Sequence, residues 1–339
     1  MRKTYLDYMK ALGAVLVILA HSISTYSETF KLVPRPVGIV GNLCYAVNAS
    51  VFFVIAGYLC HSQKVLPFYG KKITKILVPF AAFSLLKIAY TVLLNNSYAH
   101  SDTLSGILQD AFLYGRLYWF PYTLFIIFIT APLFWPTSGK KDNTRLYASV
   151  AAAVAFAVLN EYLSLTGKEN SILILQVNNV CKYMPFFLMG VIFAHVDPKK
   201  LDGLLSKHIP VKLIVSAVLV IISGYYLVRG LPAGDEVRVM WEQPFHVRFL
   251  MALPLMYIVY GVSKLLPDNI KWLSLTGKRS LQILLFDSIF RTVLYTVLAK
   301  FFEHQLWMIP VVMVSSIALT VLACEVIKKV PVVRNLVGI

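Results

Sequence analysis

Charged residues are scarce in this sequence, and acidic ones are the scarcest. Asp, Glu, Lys and Arg make up 14% of the 339 residues, against about 25% in an average soluble domain. Hydrophobic residues reach 58%, and the mean hydropathy is +0.71. The longest polar connections span about twenty residues, which leaves no room for a soluble domain. We therefore expect a membrane-embedded chain rather than a water-soluble one.

Cysteine is also rare, and its placement excludes two further classes of protein. The four cysteines all lie in or beside apolar segments, at Cys44, Cys60, Cys181 and Cys324. None has the close spacing of a zinc or iron–sulfur site, and so few do not form a disulfide framework. Buried free thiols are the prediction. No low-complexity tract and no internal repeat is evident.

Apolar runs of about twenty residues recur from end to end, which is the length that crosses a bilayer as a helix. They predict an all-α, polytopic membrane protein with about ten transmembrane helices in a single domain covering residues 1–339. The predicted spans are 5–25, 37–60, 73–94, 117–136, 146–165, 172–195, 211–229, 247–266, 281–301 and 306–327.

The net charge of +16 would suit a nucleic-acid-binding protein, but the distribution of the basic residues indicates instead how the chain is oriented in the membrane. Twenty of the 32 basic residues fall in segments that the predicted spans place on the same side of the membrane as the N-terminus. Eight fall on the opposite side, and four lie inside spans. This is the positive-inside pattern, and it predicts that both termini are cytoplasmic. We expect the bilayer, not nucleic acid, as the partner of this charge.

The first predicted span carries three ionisable residues, Asp7, Lys10 and His21. Lys10 and His21 are eleven residues apart, about three helical turns or roughly 16 Å, and therefore share a face. Asp7 precedes Lys10 by one turn. Ionisable groups inside a span are costly, so this stripe indicates a site with proton chemistry at His21. The alternative is a polar histidine that reaches the outer interface.

The segment after the second span carries three lysines, Lys71, Lys72 and Lys75, which we expect at the cytoplasmic mouth, with Lys72 and Lys75 on one face. They suit either phosphate binding or positive-inside anchoring. The second span itself ends in the small pair Ala56-Gly57, which favours close helix packing.

Three further groups of residues are candidates for a substrate site or for ordinary helix packing. Tyr118 and Trp119 suit either an aromatic belt or a sugar-stacking platform. Polar residues on and beside the sixth span suit either a cavity or a network between helices, and they are Asn178, Asn179, Lys182 and Glu161. Asp287 and Arg291 are four residues apart, which predicts an internal ion pair.

In this order, these pieces resemble the acyltransferase-3 family of integral-membrane acyltransferases, within it the fucose 4-O-acetylase-like branch. The resemblance extends from Tyr5 to about Asp287. It rests on six short motifs that follow one another in the family's order. They are the pattern from Asp7 through Lys10 to His21, Phe52-Phe53 to Gly57, the basic segment ending at Pro79, Trp119-Phe120, Phe186-Phe187-Leu188-Met189-Gly190, and Gly277 to Ser280-Leu281.

The resemblance implies transfer of an acyl group, usually acetyl, from cytoplasmic acyl-CoA to a hydroxyl of a sugar, polysaccharide or lipid-linked glycan beyond a bacterial cytoplasmic membrane. His21 matches the family's essential histidine and Lys10 its cationic partner, which is often arginine. Acyl-CoA would then be a donor substrate contacted by Lys10, Lys71, Lys72 and Lys75, with no permanent cofactor and no metal. His21 would act as a base or carry the acyl group transiently.

Three departures from the family pattern stand in this sequence. Ala56-Gly57 replaces a Ser-Gly pair, lysines replace arginines in the basic segment, and Leu284 and Asp287 replace a tyrosine and a histidine. The rival function is a transporter of glycans or small anions with no acyl chemistry. Against it, no inverted repeat and no matched pair of broken helices is evident. Acyl length, acceptor identity and oligomeric state stay open at this point.

Overall fold

The computed structural model describes residues 3–31, 33–93, 103–135, 143–168, 174–229 and 243–339. Within these ranges all regular secondary structure is helical. The α-helices are α1 (Thr4–Phe30), α2 (Arg35–Tyr58), α3 (Val65–Lys72), α4 (Val78–Leu93), α5 (Leu104–Leu108), α6 (Trp119–Thr130), α7 (Asn143–Leu165), α8 (Val177–His195), α9 (Pro198–Ser206), α10 (Ile209–Val228), α11 (Phe245–Leu265), α12 (Lys271–Lys278), α13 (Ser280–Leu298), α14 (Met308–Ile327) and α15 (Pro331–Val337). A π-helical turn, Ile73–Leu77, joins α3 to α4.

The prediction of a polytopic helical membrane protein is confirmed. Nine helices in the described ranges are long and apolar enough to cross a membrane, and each coincides with one of the ten predicted spans. The fourth predicted span, 117–136, differs because the described part of it is the shorter apolar helix Trp119–Leu133. Fifteen residues extend about 22 Å, less than the roughly 30 Å of a hydrocarbon core. The cytoplasmic placement of both termini stays a prediction.

The chain divides into two compact units, each built from two separate segments. The first unit comprises Met1–Ile55 and Val196–Ala323, and the second comprises Ala56–His195 and Cys324–Ile339. This division is not evident in the sequence, since apolar spans follow one another without a change in composition. The single domain predicted for residues 1–339 stays a prediction.

In the first unit, α1 packs against α11, α12 and α13. The closest approach is at Gly277 of α12, where a Cβ atom would overlap the carbonyl oxygen of Asp7. A second contact lies further along α1, where Ile23 and Tyr26 pack in a buried cluster with Tyr295 of α13. One contact therefore holds α1 at Asp7, and the other holds it close to His21.

In the second unit, α8 packs against α6 and α7. The last turn of α2 also meets α8, because a Cβ atom on Gly57 would overlap the carbonyl oxygen of Phe187. The predicted close packing at Ala56-Gly57 is therefore confirmed. All four cysteines are buried and free, as predicted. Cys60 accepts a hydrogen bond from Trp135 Nε1 at 3.0 Å, and burial raises the pKa of the Cys60 thiol.

Candidate active site

Helix α1 runs without interruption through Asp7, Lys10 and His21, as the sequence predicts. Lys10 and His21 are thus separated by about three turns, roughly 16 Å along the axis. Asp7 is buried, and its Oδ1 lies 3.0 Å from Lys10 Nζ. Asp7 and Lys10 therefore form an ion pair one turn apart, and Lys10 keeps partial exposure.

His21 bonds a carboxylate that lies 266 residues away in sequence. Its Nδ1 is 2.8 Å from Oδ2 of Asp287 on α13. The Asp287 side chain is 1% exposed, whereas the His21 side chain is 34% exposed. The carboxylate is thus enclosed behind the imidazole, and the ring keeps an open side. A neutral imidazole that donates from Nδ1 presents the lone pair of Nε2, the state that a general base requires.

A third residue completes this group. Arg291 lies one turn after Asp287 on α13, with Nε 3.2 Å from Oδ2. The predicted ion pair is confirmed, but it is only part of the arrangement, since the same carboxylate oxygen bonds His21. The sequence argument assigned no role to Asp287 beyond that pair. The one available signal was a carboxylate inside an otherwise apolar span.

The neighbouring groups fix the position of α1 relative to α13. The Tyr295 hydroxyl donates to the carbonyl of Ser22 at 3.0 Å, in a buried setting. The Tyr45 ring of α2 lies 6.2 Å from the His21 ring between centroids, at an angle of 47°. His21 is therefore held by a carboxylate on one side and faces an aromatic ring on another.

The three lysines of the basic segment lie in the second unit, and the contacts of Lys72 and Lys75 differ. Lys72 Nζ is 3.6 Å from the Phe128 ring centroid and 5.1 Å from that of Phe68, which is a cation–π arrangement. Lys75 is exposed and donates to the carbonyl of Ile339 at 3.3 Å, and Lys71 is exposed. The prediction that Lys72 and Lys75 share one face assumed α-helical spacing, whereas a π-helical turn begins after Lys72 and contains Lys75.

The predicted aromatic residues also lie in the second unit, where they meet α8. The Trp119 ring stacks on the Tyr183 ring, with centroids 5.2 Å apart and an angle of 23°. Lys182 Nζ lies 5.7 Å from the centroid of the same Tyr183 ring. Tyr118 is buried, and its ring lies 5.2 Å from Nζ of Lys87, a buried lysine of α4 that the sequence argument did not single out.

The polar residues predicted beside this aromatic group have different environments. Within the described ranges, both amide atoms of Asn178 are buried and make no hydrogen bond. Asn179 Nδ2 donates to Oε1 of Gln176, and Nε2 of Gln176 donates to the carbonyl of Tyr114. Glu161 is half-buried on α7. Asn178 is thus the amide in this group with unused hydrogen-bonding capacity, while Asn179 is engaged in holding the start of α8.

Acid, histidine and thiol groups do not gather into a metal centre in the part of the chain that the structure describes. The group built from His21, Asp287 and Arg291 is instead a hydrogen-bonded acid–base arrangement inside a bundle of membrane helices. Such a group can move a proton without a bound ion.

Comparison with known families agrees with this class of site. A family model described as an acyltransferase domain matches residues 3–326, nearly the whole chain. The chain belongs to the acyltransferase-3 family, and it is a multi-pass membrane acyltransferase. The comparison with curated proteins gives no match, and neither does the comparison with solved structures. The fucose 4-O-acetylase-like branch stays a prediction.

Proposed function

We propose that the protein moves an acyl group, acetyl in the simplest case, from acyl-CoA to a sugar hydroxyl, with His21 as the base. The observation that carries this proposal is the bond between His21 Nδ1 and the enclosed Asp287 carboxylate at 2.8 Å. A carboxylate in this position fixes the imidazole tautomer and stabilises the imidazolium that forms when the base takes a proton.

Nε2 of His21 takes the proton of an acceptor hydroxyl while the hydroxyl oxygen attacks the thioester carbonyl carbon. The tetrahedral intermediate then expels the CoA sulfur, which takes the proton from His21. The products are an ester and free CoA. In a two-step route, the same Nε2 would attack the thioester carbon and expel the CoA thiolate. The hydroxyl oxygen would then attack the acyl-imidazole and break its N–acyl bond, and the hydroxyl proton would end on the thiolate. Both routes need the tautomer that Asp287 fixes.

The donor assignment rests on charge and length. The separation of Lys10 from His21, roughly 16 Å along α1, is comparable to the length of a pantetheine arm. We propose that the donor's reactive arm follows α1 towards His21, with Lys10 attracting its anionic part. Lys71 and Lys75 are exposed and keep the phosphate-binding role proposed for them, as point charges rather than bidentate clamps. Lys72 is proposed to contribute less, because its ammonium lies on the Phe128 ring.

The acceptor assignment rests on the aromatic group of the second unit. Stacked aromatic rings suit the apolar face of a sugar ring, and the buried Asn178 amide has hydrogen bonds to offer to hydroxyl groups. We propose that Trp119, Tyr118 and Asn178 contact the acceptor glycan, with Lys182 and Glu161 beside them. A protein of this kind would work in a bacterial cytoplasmic membrane, on a glycan presented at its outer side.

The test is release of free CoA from acetyl-CoA by the purified protein in proteoliposomes, with and without glycan acceptors. His21→Ala should lower acceptor-dependent release about 10²- to 10⁴-fold, the usual contribution of a general base. His304→Ala is the matched control, because His304 is an exposed histidine in the connection between α13 and α14. Equal rates for wild type and His21→Ala would refute the base assignment. No release and no acetyl-CoA binding by wild type would favour transport.

A further inference from the structure

Arg291 makes more contacts than an ion pair with Asp287 requires. Its Nε lies 3.2 Å from Oδ2 and 3.4 Å from Oδ1 of that carboxylate. Its Nη1 donates to the main-chain carbonyl of His21 at 3.4 Å and to the hydroxyl oxygen of Thr25. One guanidinium therefore touches the carboxylate on α13 and two successive turns of α1.

These contacts use the geometry of arginine rather than its charge alone. A lysine ammonium is a compact charge, whereas the guanidinium presents donors in several fixed directions. Here Nε bonds the carboxylate and Nη1 bonds α1, so both groups are held relative to one rigid plane. The Arg291 side chain is 15% exposed. Low exposure favours a defined position over a mobile surface contact.

The consequence falls on the bond between His21 and Asp287. Oδ2 of Asp287 accepts a hydrogen bond from His21 Nδ1 at 2.8 Å and another from Arg291 Nε at 3.2 Å. If the guanidinium is lost, the carboxylate is free to rotate about its last bond, and the main-chain carbonyl of His21 loses its hydrogen bond to α13. The carboxylate would then no longer stay in line with Nδ1.

We propose that Arg291 is a positioning residue for acyl transfer, which holds the Asp287 carboxylate and the His21 turn of α1 together without touching either substrate. The proposal rests on the function proposed for His21. It also explains why Asp287, a departure from the family pattern in this chain, is followed one turn later by an arginine. The two residues act on the imidazole as a unit.

Two variants separate positioning from folding. Arg291→Met removes the guanidinium N–H donors and the positive charge. Arg291→Lys keeps the charge but loses the planar set of donors. Arg334→Met is the matched control, since Arg334 is exposed on α15. Folding of each variant is checked by thermal unfolding in detergent. We expect Arg291→Met to lower kcat about 10- to 100-fold, because a reactive group misplaced by about 1 Å can lose about 100-fold in rate. KM for acetyl-CoA should change less than about twofold.

Two readouts go beyond a purely structural role. Guanidinium added to Arg291→Ala, whose shorter side chain leaves space for it, should restore part of kcat but leave Arg334→Ala unchanged. The losses in Asp287→Asn and Arg291→Met should also be non-additive in the double variant, because the residues act through one hydrogen-bonded unit. Additive losses, or a kcat within about twofold of wild type in Arg291→Met, would overturn the proposal.

One further readout does not depend on activity. In ¹⁵N spectra of histidine-labelled protein, with the His21 signals assigned from His21→Ala, wild type should show the Nδ1-protonated ring. Arg291→Met should show a mixture of tautomers, with Arg291→Lys between the two. An unchanged tautomer in Arg291→Met would contradict the positioning role even in a preparation without acyl transfer. Activity lost only in His21→Ala would leave the proposed function intact and remove Arg291 from it.

Discussion

Replacing the Asp287 carboxylate by an amide of the same shape perturbs the site at one point. In Asp287→Asn the side chain keeps an oxygen for Arg291, but it loses the charge that bonds His21 Nδ1 at 2.8 Å. An amide can present its NH₂ to the imidazole as readily as its oxygen, and it then selects the wrong tautomer. The imidazolium formed during transfer also loses its counter-charge.

The size of the effect follows from the enclosure of the carboxylate. Asp287 is 1% exposed, so water does not replace the lost charge. Activity should fall on the order of 10²- to 10⁴-fold, the range for groups that fix a catalytic histidine. Breaking a buried ion pair on one side costs about 3–5 kcal/mol. The lower end applies here, because the amide oxygen remains available to Arg291.

The assay is acceptor-dependent CoA release at saturating acetyl-CoA, with thermal unfolding of the same preparation. Asp202→Asn is the matched control, since Asp202 also pairs with a basic residue, Lys264, at 2.7 Å, but is half exposed. We expect it to keep nearly full activity. If Asp287→Asn folds and retains more than about a third of the wild-type rate, Asp287 does not orient His21 and the reasoning fails.

Two predictions concern stability and are measured by unfolding in detergent. Gly277→Ala places a methyl group on the carbonyl of Asp7 and should destabilise the first unit by about 1–3 kcal/mol. Gly203→Ala, also in a helix but with open space around the new methyl group, should stabilise by up to about 1 kcal/mol, and equal effects would contradict the close contact at Gly277. The Lys264 ammonium bonded to Asp202 lowers the pKa of that carboxyl, so the pair contributes stability above the ordinary carboxyl pKa and loses it as the pH falls through the lowered value. Because the pair is half exposed, Asp202→Asn should cost less than about 1 kcal/mol at neutral pH, and an advantage of wild type that grows on acidification would contradict this assignment.

Helices and local pairs were predictable from the sequence because their causes are local. Apolar runs long enough to cross a bilayer set nine of the spans. The Asp287–Arg291 pair follows from a spacing of four on a helix, and the close packing of Gly57 follows from its missing side chain. None of these depends on which helix becomes a neighbour.

The remaining features depend on tertiary contacts or on small backbone changes. His21 and Asp287 are 266 residues apart, and a single sequence does not indicate which helices will pack together. The π-helical turn at Ile73–Leu77 interrupts the α-helical spacing of the basic segment, and the contact of Lys72 with the Phe128 ring joins residues far apart in sequence. The fourth span is short because α6 gives way to a 3₁₀ turn at Ala131–Leu133, where Pro132 lies.

The proposed function is esterification of a sugar hydroxyl through His21. The most direct measurement follows radiolabelled acetyl from acetyl-CoA into a defined oligosaccharide, in proteoliposomes that contain wild type, His21→Ala or His304→Ala. We predict alkali-labile label on the oligosaccharide with wild type and His304→Ala and none above background with His21→Ala. Label transferred equally well by His21→Ala would contradict the claim.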